Sequence, residues 1–448
     1  MTHQAIITLH YKHICGRNIK QTGTAMDQNT ATAITHLKSL QDQQQNETLS
    51  SIQKHYEGKL WHQLTHDILE LISSNDGYEM NFLDFYRNVV HGIENKLNIV
   101  SLSRIVCGVG KKLQNSGDTL AAVTFVQDFL DQRKDISPAS TVYLTSHVCL
   151  FQMQGLLDNT EDPAASKSIL DQVNDSLRET KKVLTVTDTE PTKKSNEVTR
   201  TLTSVIPTAT NGSDAALVHA AYHEASMLYR KHVGPPEAFY TEALEYLNYA
   251  VPNEISQPYQ LAIDLSLAAL TGDGIFNFGQ VTTNITLLQE QFSSENEFSW
   301  LMELLLACAR GDIQQFIDIT NRPAVQTAIQ AQPALVARAD VIKEKITLLS
   351  LVHMVFERPS QQRTLSFEDI CEATKIANIA AVESLVMRAL SLGLIRGVMD
   401  EVAQEVTVHW VMPRVLDKKQ LKGLAGRFGE WAVQSGKVGE YVGEHVAV

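Results

Sequence analysis

Histidines four residues apart put two imidazoles on one helix face, the arrangement from which zinc peptidases build a metal site. The chain has two such pairs, His62/His66 and His219/His223. A peptidase also needs glutamate directly after the first histidine as general base. Those positions hold Gln63 and Ala220, and no third ligand stands out, so paired surface histidines are the expected reading. His10, His13 and Cys15 form a third cluster, but they lack a second ligand pair. The stretch CGVGKK at 107–112 resembles a phosphate loop, yet the residue five before Gly110 is Ile105 instead of glycine, and no strand precedes it. GDGIFNFG at 272–279 has the wrong third-glycine spacing for a dinucleotide fingerprint. Both read as turns between helices. No Ser/His/Asp, Cys/His or paired-carboxylate motif occurs either, so no catalytic residue, cofactor or metal is predicted, and the chain reads as a non-enzyme.

Helices dominate the elements that carry these residues. None of the 12 prolines precedes Pro138, and Leu60, Leu64, Ile68 and Leu71 recur at three to four residues, as a buried helical face requires. Helix-length stretches follow at 82–93, 97–113, 119–132, 139–155 and 164–183. Paired amphipathic helices in series predict an α-solenoid over 51–234, each unit burying its face against its neighbours. Periodicity lapses at 185–213, a Thr/Ser/Asn/Pro-rich run read as a long exposed loop. Helices resume at 215–232, 257–270, 284–292, 297–310, 314–321 and 334–356. Between the first two of these, Phe239, Leu244 and Leu247 with Ala238 and Ala243 mark a further repeat-like unit.

Composition narrows the class. A chain of 448 residues exceeds one compact core, and 44 % apolar with 20 % charged residues is ordinary for a globular protein. No apolar run reaches the ~18–20 residues that cross a bilayer. The net charge of −13 lowers the expectation of a dedicated nucleic-acid binder. Cys15, Cys107, Cys149, Cys308 and Cys371 are scattered without C-x-x-C, which suits reduced, buried thiols rather than disulfides or a zinc site. Residues 1–26 hold Lys12, Arg17 and Lys20 and no acid. They read as a disordered tail, or as residues ahead of a working start at Met26, in preference to a transit peptide. Residues 1–50 together are taken as a partly disordered tail.

The stretch 364–411 breaks the solenoid pattern. Ser366 with Asp369 opens a short helix, Asn378 can cap a second, and Val382, Leu385, Val386, Ala389 and Leu390 form its inner stripe up to Gly393. Residues 394–398 and 405–411 read as strands around an acidic turn at 399–404, which completes a winged helix. A DNA reader needs cations on its second helix, and that helix holds only Arg388, balanced by Glu383. Over 363–412, Arg363, Lys375, Arg388 and Arg396 face seven acids, among them Asp400, Glu401 and Glu405 on the wing. Such a surface repels phosphate, so this module is expected to join proteins, its outer strand pairing edge to edge with a neighbour's. After Pro413, Leu421, Leu424, Phe428 and Trp431 mark a last amphipathic helix, with Gly436, Gly439 and Gly443 predicting a frayed end.

An α-solenoid running into a non-basic winged helix and a C-terminal helix resembles the layout of PCI-domain proteins. These are scaffold subunits of the proteasome lid, the COP9 signalosome and translation initiation factor three. LWHQLT (60–65), GDGIFNFG (272–279), FERPSQQRTLSFEDI (356–370), VESLVMRALSLGLIRGVMDEV (382–402) and VHWVMPRVLDKKQLKGL (408–424) resemble the proteasome-lid branch of that family. The resemblance implies a mainly α fold, with a PCI domain over 235–413 (helical part 235–357, winged helix 358–413) and a bundle helix with its tail over 414–448. It implies a non-catalytic subunit of a hetero-oligomeric complex in cytoplasm and nucleus, without nucleic-acid or membrane partners, and with other lid subunits as neighbours. A scaffold subunit of a signalosome, translation-initiation or RNA-export complex is the alternative. By position, the 405–411 strand (Val406, Val408, Trp410) would lie at an inter-subunit sheet. Leu421, Leu424, Phe428 and Trp431 would face a helical bundle.

Overall fold

A computed structural model of the chain describes residues 24–43, 47–74, 80–133, 136–158, 163–189, 214–251, 255, 257–285, 298–358, 363–376, 378–412 and 418–446. It forms two compact units whose boundary falls at Ala225/Ser226, inside the helix Asp214–Val233. The Gly-Pro-Pro punctuation at 234–236 ends that helix rather than separating the units, which places the boundary earlier than the expected 234.

The first unit stacks helices in sequence order. Thr24–Gln43 precedes Glu47–Glu57 and Trp61–Ser73; Ile99–Asn115, Thr119–Gln132, Pro138–Asp158 and Pro163–Thr189 then each pack on the next. This is the nearest-neighbour packing expected of a solenoid. One core joins Leu37, Ile52, Leu64, Ile68, Ile105 and Phe151. Ala33 and Leu37 are fully buried on Thr24–Gln43, which corrects the expectation of a tail through residue 50; residues 1–23, with His10, His13 and Cys15, lie outside the described residues. The stretch CGVGKK lies mid-helix in Ile99–Asn115, and a Cβ at Gly110 would sit 2.7 Å from the Phe151 ring. Its glycine serves helix packing, and no loop exists there to hold phosphate. The predicted helix 82–93 is instead a short helix Phe82–Phe85, a π turn Tyr86–Val90 and a 3-10 turn His91–Lys96. β-Branched Val89 and Val90 followed by Gly92 weaken a continuous α-helix there. Of the loop expected at 185–213, residues 185–189 are helical, as the end of Pro163–Thr189, and residues 190–213 lie outside the described residues.

In the second unit, prolines open helices at Pro236–Tyr249, Pro258–Thr271, Pro323–Gln330 and Pro333–Ala337. At the first helical position a missing N–H costs nothing. The single predicted helix 334–356 is two helices, Pro333–Ala337 and Ala339–Glu357, broken at Arg338. Arg338 donates to the Thr271 carbonyl at 3.0 Å. Buried Lys345 donates to those of Ala269 and Leu270 at 2.8 and 3.1 Å. Two cations thus satisfy the last carbonyls of Pro258–Thr271 and fix the turn after it, where Gly274 takes φ 73°. The predicted 284–292 helix falls mostly outside the described residues; Phe278–Ile285 is helical ahead of it.

The winged helix is present. Strand β1 (Thr364–Ser366) leads into helices Phe367–Thr374 and Ile379–Ser391, then β2 (Ile395–Asp400) and β3 (Glu405–Val411). The sheet is antiparallel in the order β1-β3-β2, with Leu365 opposite Val406 and Val398 opposite Thr407. Its inner face shares one core with Leu348, Leu351, Val352 and Val355 of Ala339–Glu357. The last helix runs Lys418–Val446. Its glycines at 436, 439 and 443, from which a frayed end was expected, lie within this helix, since glycine lowers helix propensity without removing the backbone hydrogen bond. Among the described residues, no helix is long and apolar enough to cross a membrane.

Candidate protein-interaction surfaces

Local caps set both winged-helix helices in place. Ser366 Oγ accepts from Asp369 N at 3.1 Å, and Asn378 Oδ1 accepts from Ala380 N at 3.1 Å. Val382, Leu385, Val386 and Ala389 are buried as the spacing predicts, while Leu390 is half-buried. The outer face carries exposed Met387 and Arg388, and Arg388 Nε pairs with Glu344 at 2.8 Å. The Arg396 guanidinium lies over the Trp410 ring at 4.7 Å, and the wing turn is closed by Asp400, which accepts from Val402 and Ala403 N–H at 3.0 Å. Arg388 is therefore engaged with a carboxylate and Arg396 with an aromatic face.

The expectation that 405–411 is the outer, pairing strand is corrected. β3 is the central strand, bonded on both sides, and Val406 and Val408 point into the domain's own core at 0 % and 2 % exposure. Trp410 is exposed, on the solvent face beside Arg396 and Val398. Among the described residues, the sheet's edges are the three-residue β1 and the six-residue β2, the latter with an irregularity between Arg396 and Gly397. Strand order was out of reach of a pattern reading, because β1 is three residues long and pairs with a strand some forty residues on.

The C-terminal helix carries the other predicted stripe. Leu421, Phe428 and Trp431 are 51 %, 62 % and 67 % exposed, and Leu424 is half-buried. Val433, Val438, Tyr441 and Val442, which the sequence reading did not single out, extend the exposed apolar surface. Their signal was their spacing, masked by the glycines among them.

The buried cysteines are poorly placed as nucleophiles. Burial raises the Cys107 thiol and pushes those of Cys149 and Cys308 up to about 12, so all three stay protonated. Burial also lowers buried His147 to about 3, leaving it neutral. His219 and His223 stack with ring centroids 6.2 Å apart.

A family described as PSD13 N-terminal repeats matches residues 48–190 and 187–305, and the PCI domain matches 317–410. The chain is 30 % identical over 389 residues to the Dictyostelium discoideum 26S proteasome non-ATPase regulatory subunit 13, covering 86 % of this chain and 90 % of that protein. It is 29 % identical to homolog A of that subunit in Arabidopsis thaliana, over 89 % of this chain and 94 % of the relative. With the Saccharomyces cerevisiae 26S proteasome regulatory subunit RPN9 it shares 27 % identity, over 91 % and 95 %.

Proposed function

We propose, from the premise that this chain belongs to the 26S proteasome non-ATPase regulatory subunit 13 family, that it is a non-catalytic scaffold subunit of the proteasome regulatory-particle lid. It acts there in ubiquitin-dependent protein degradation, in cytoplasm and nucleus, through protein surfaces and without nucleic acid. The observation that carries this reading is the C-terminal helix, which presents Leu421, Phe428 and Trp431 to solvent over a 29-residue span. Burying side chains of this size contributes about 1.5–3 kcal/mol each, so a helical bundle with neighbouring lid subunits is their natural destination. The wing contributes through its outer edge β2 and the solvent face around Trp410, in place of β3. Its acidic turn and engaged arginines support a protein partner over phosphate.

The test is a tagged full-length copy and the proteins that co-purify with it. Proteasome regulatory-particle subunits are expected at stoichiometric yield. Recovery of translation-initiation or signalosome subunits in their place would overturn the reading.

A further inference from the structure

We propose that the helix Trp61–Ser73 carries a zinc-class divalent metal site formed by His66, Asp67 and Glu70. One imidazole nitrogen and two carboxylate oxygens from these three residues lie within 4.8 Å of one another. Zinc holds N and O ligands at about 2.0–2.2 Å, so its ligand atoms sit up to ~4.4 Å apart, and small rotamer changes close this set onto an ion. Two of the three are free to make that change. His66 and Glu70 side chains are 77 % and 60 % exposed, and their Nδ1 and Oε2 already lie 3.9 Å apart.

Asp67 is the fixed member. Its side chain is mostly buried, and one carboxylate oxygen meets His55 Nδ1, from the preceding helix, at 2.6 Å. That contact orients the carboxylate, the role outer-shell partners play at metal centres. The donor set also decides the ion. One imidazole with two carboxylates suits zinc, cobalt or nickel, whereas calcium takes six to eight oxygens. His66 thus gathers with Asp67 and Glu70, one residue and one turn further on, and not with His62. Bound metal would tie helix Glu47–Glu57 to helix Trp61–Ser73 through His55 and Asp67.

The test uses full-length protein stripped with chelator and titrated with Zn²⁺ by calorimetry and with Co²⁺ by visible absorption. One saturable site per chain is expected. His66→Ala and Glu70→Gln each weaken it at least tenfold, and His55→Gln weakens it by about tenfold through loss of the outer-shell contact. His219→Ala leaves it unchanged. The exposed positions of His66 and Glu70 keep the variants folded, which far-UV circular dichroism checks. Absence of saturable binding in the parent protein, or equal Zn²⁺ and Co²⁺ affinity in His66→Ala and Glu70→Gln, would overturn the proposal.

Discussion

The strand Glu405–Val411 and the helix Lys418–Val446 are close in sequence and opposite in packing. The strand is bonded on both sides and buries Val406 and Val408 against residues of its own unit. The helix leaves Phe428 and Trp431 about two-thirds exposed. Apolar alternation and an apolar helical stripe are both signals of burial, but neither says whether the covering surface belongs to the same chain. Here the strand's cover is internal, and we place the helix's cover on a neighbouring subunit.

The sharpest way to break the comparison is to put one charge on each side of it. Val408→Asp buries an unpaired carboxylate and is expected to lower unfolding free energy by ~3–5 kcal/mol in urea titrations. Phe428→Asp on the helix should shift the same transition by no more than ~0.5 kcal/mol. Equal losses would show that the helix packs on its own unit.

Lys345 asks whether unit two holds together through internal polar contacts as well. Lys345→Met strips donors from the Ala269 and Leu270 carbonyls and should cost about 1–3 kcal/mol. Burial lowers the lysine to about 8, below its ordinary range. Between pH 8 and that range the unfolded chain holds a proton the folded one has released, so parent stability rises with pH over this window. The deficit of Lys345→Met is therefore expected to widen from pH 8 to pH 10, measured by paired urea titrations.

Glycines extend the contrast at smaller scale. Gly110→Ala places a methyl 2.7 Å from Phe151 and should destabilise the first unit by about 1–3 kcal/mol. Gly426→Ala meets nothing within 4 Å, so it should gain up to ~1 kcal/mol of local helix stability, read as slower amide exchange over 418–446.

How far these features were legible in sequence follows the range of the interactions behind them. Helices with a three-to-four residue stripe, such as Trp61–Ser73, were visible because the signal is local. So were the caps at Ser366 and Asn378. The sheet order was not, since Thr364 pairs with Thr407 and a three-residue strand carries no pattern of its own. The Leu421–Trp431 stripe was legible, while its exposure was not, because periodicity records an apolar face and not what covers it. The grouping of His66, Asp67 and Glu70 was not legible for a different reason. The peptidase motif places glutamate beside the first histidine, while the grouping here runs through i, i+1 and i+4, with His55 on another helix.

The most direct test of the account is incorporation of a Leu424→Asp/Phe428→Asp chain into the proteasome regulatory particle. The account predicts a double variant that purifies folded, with parent-like circular dichroism and urea transition, and that fails to co-purify with lid subunits. Normal co-purification of the folded double variant would contradict it.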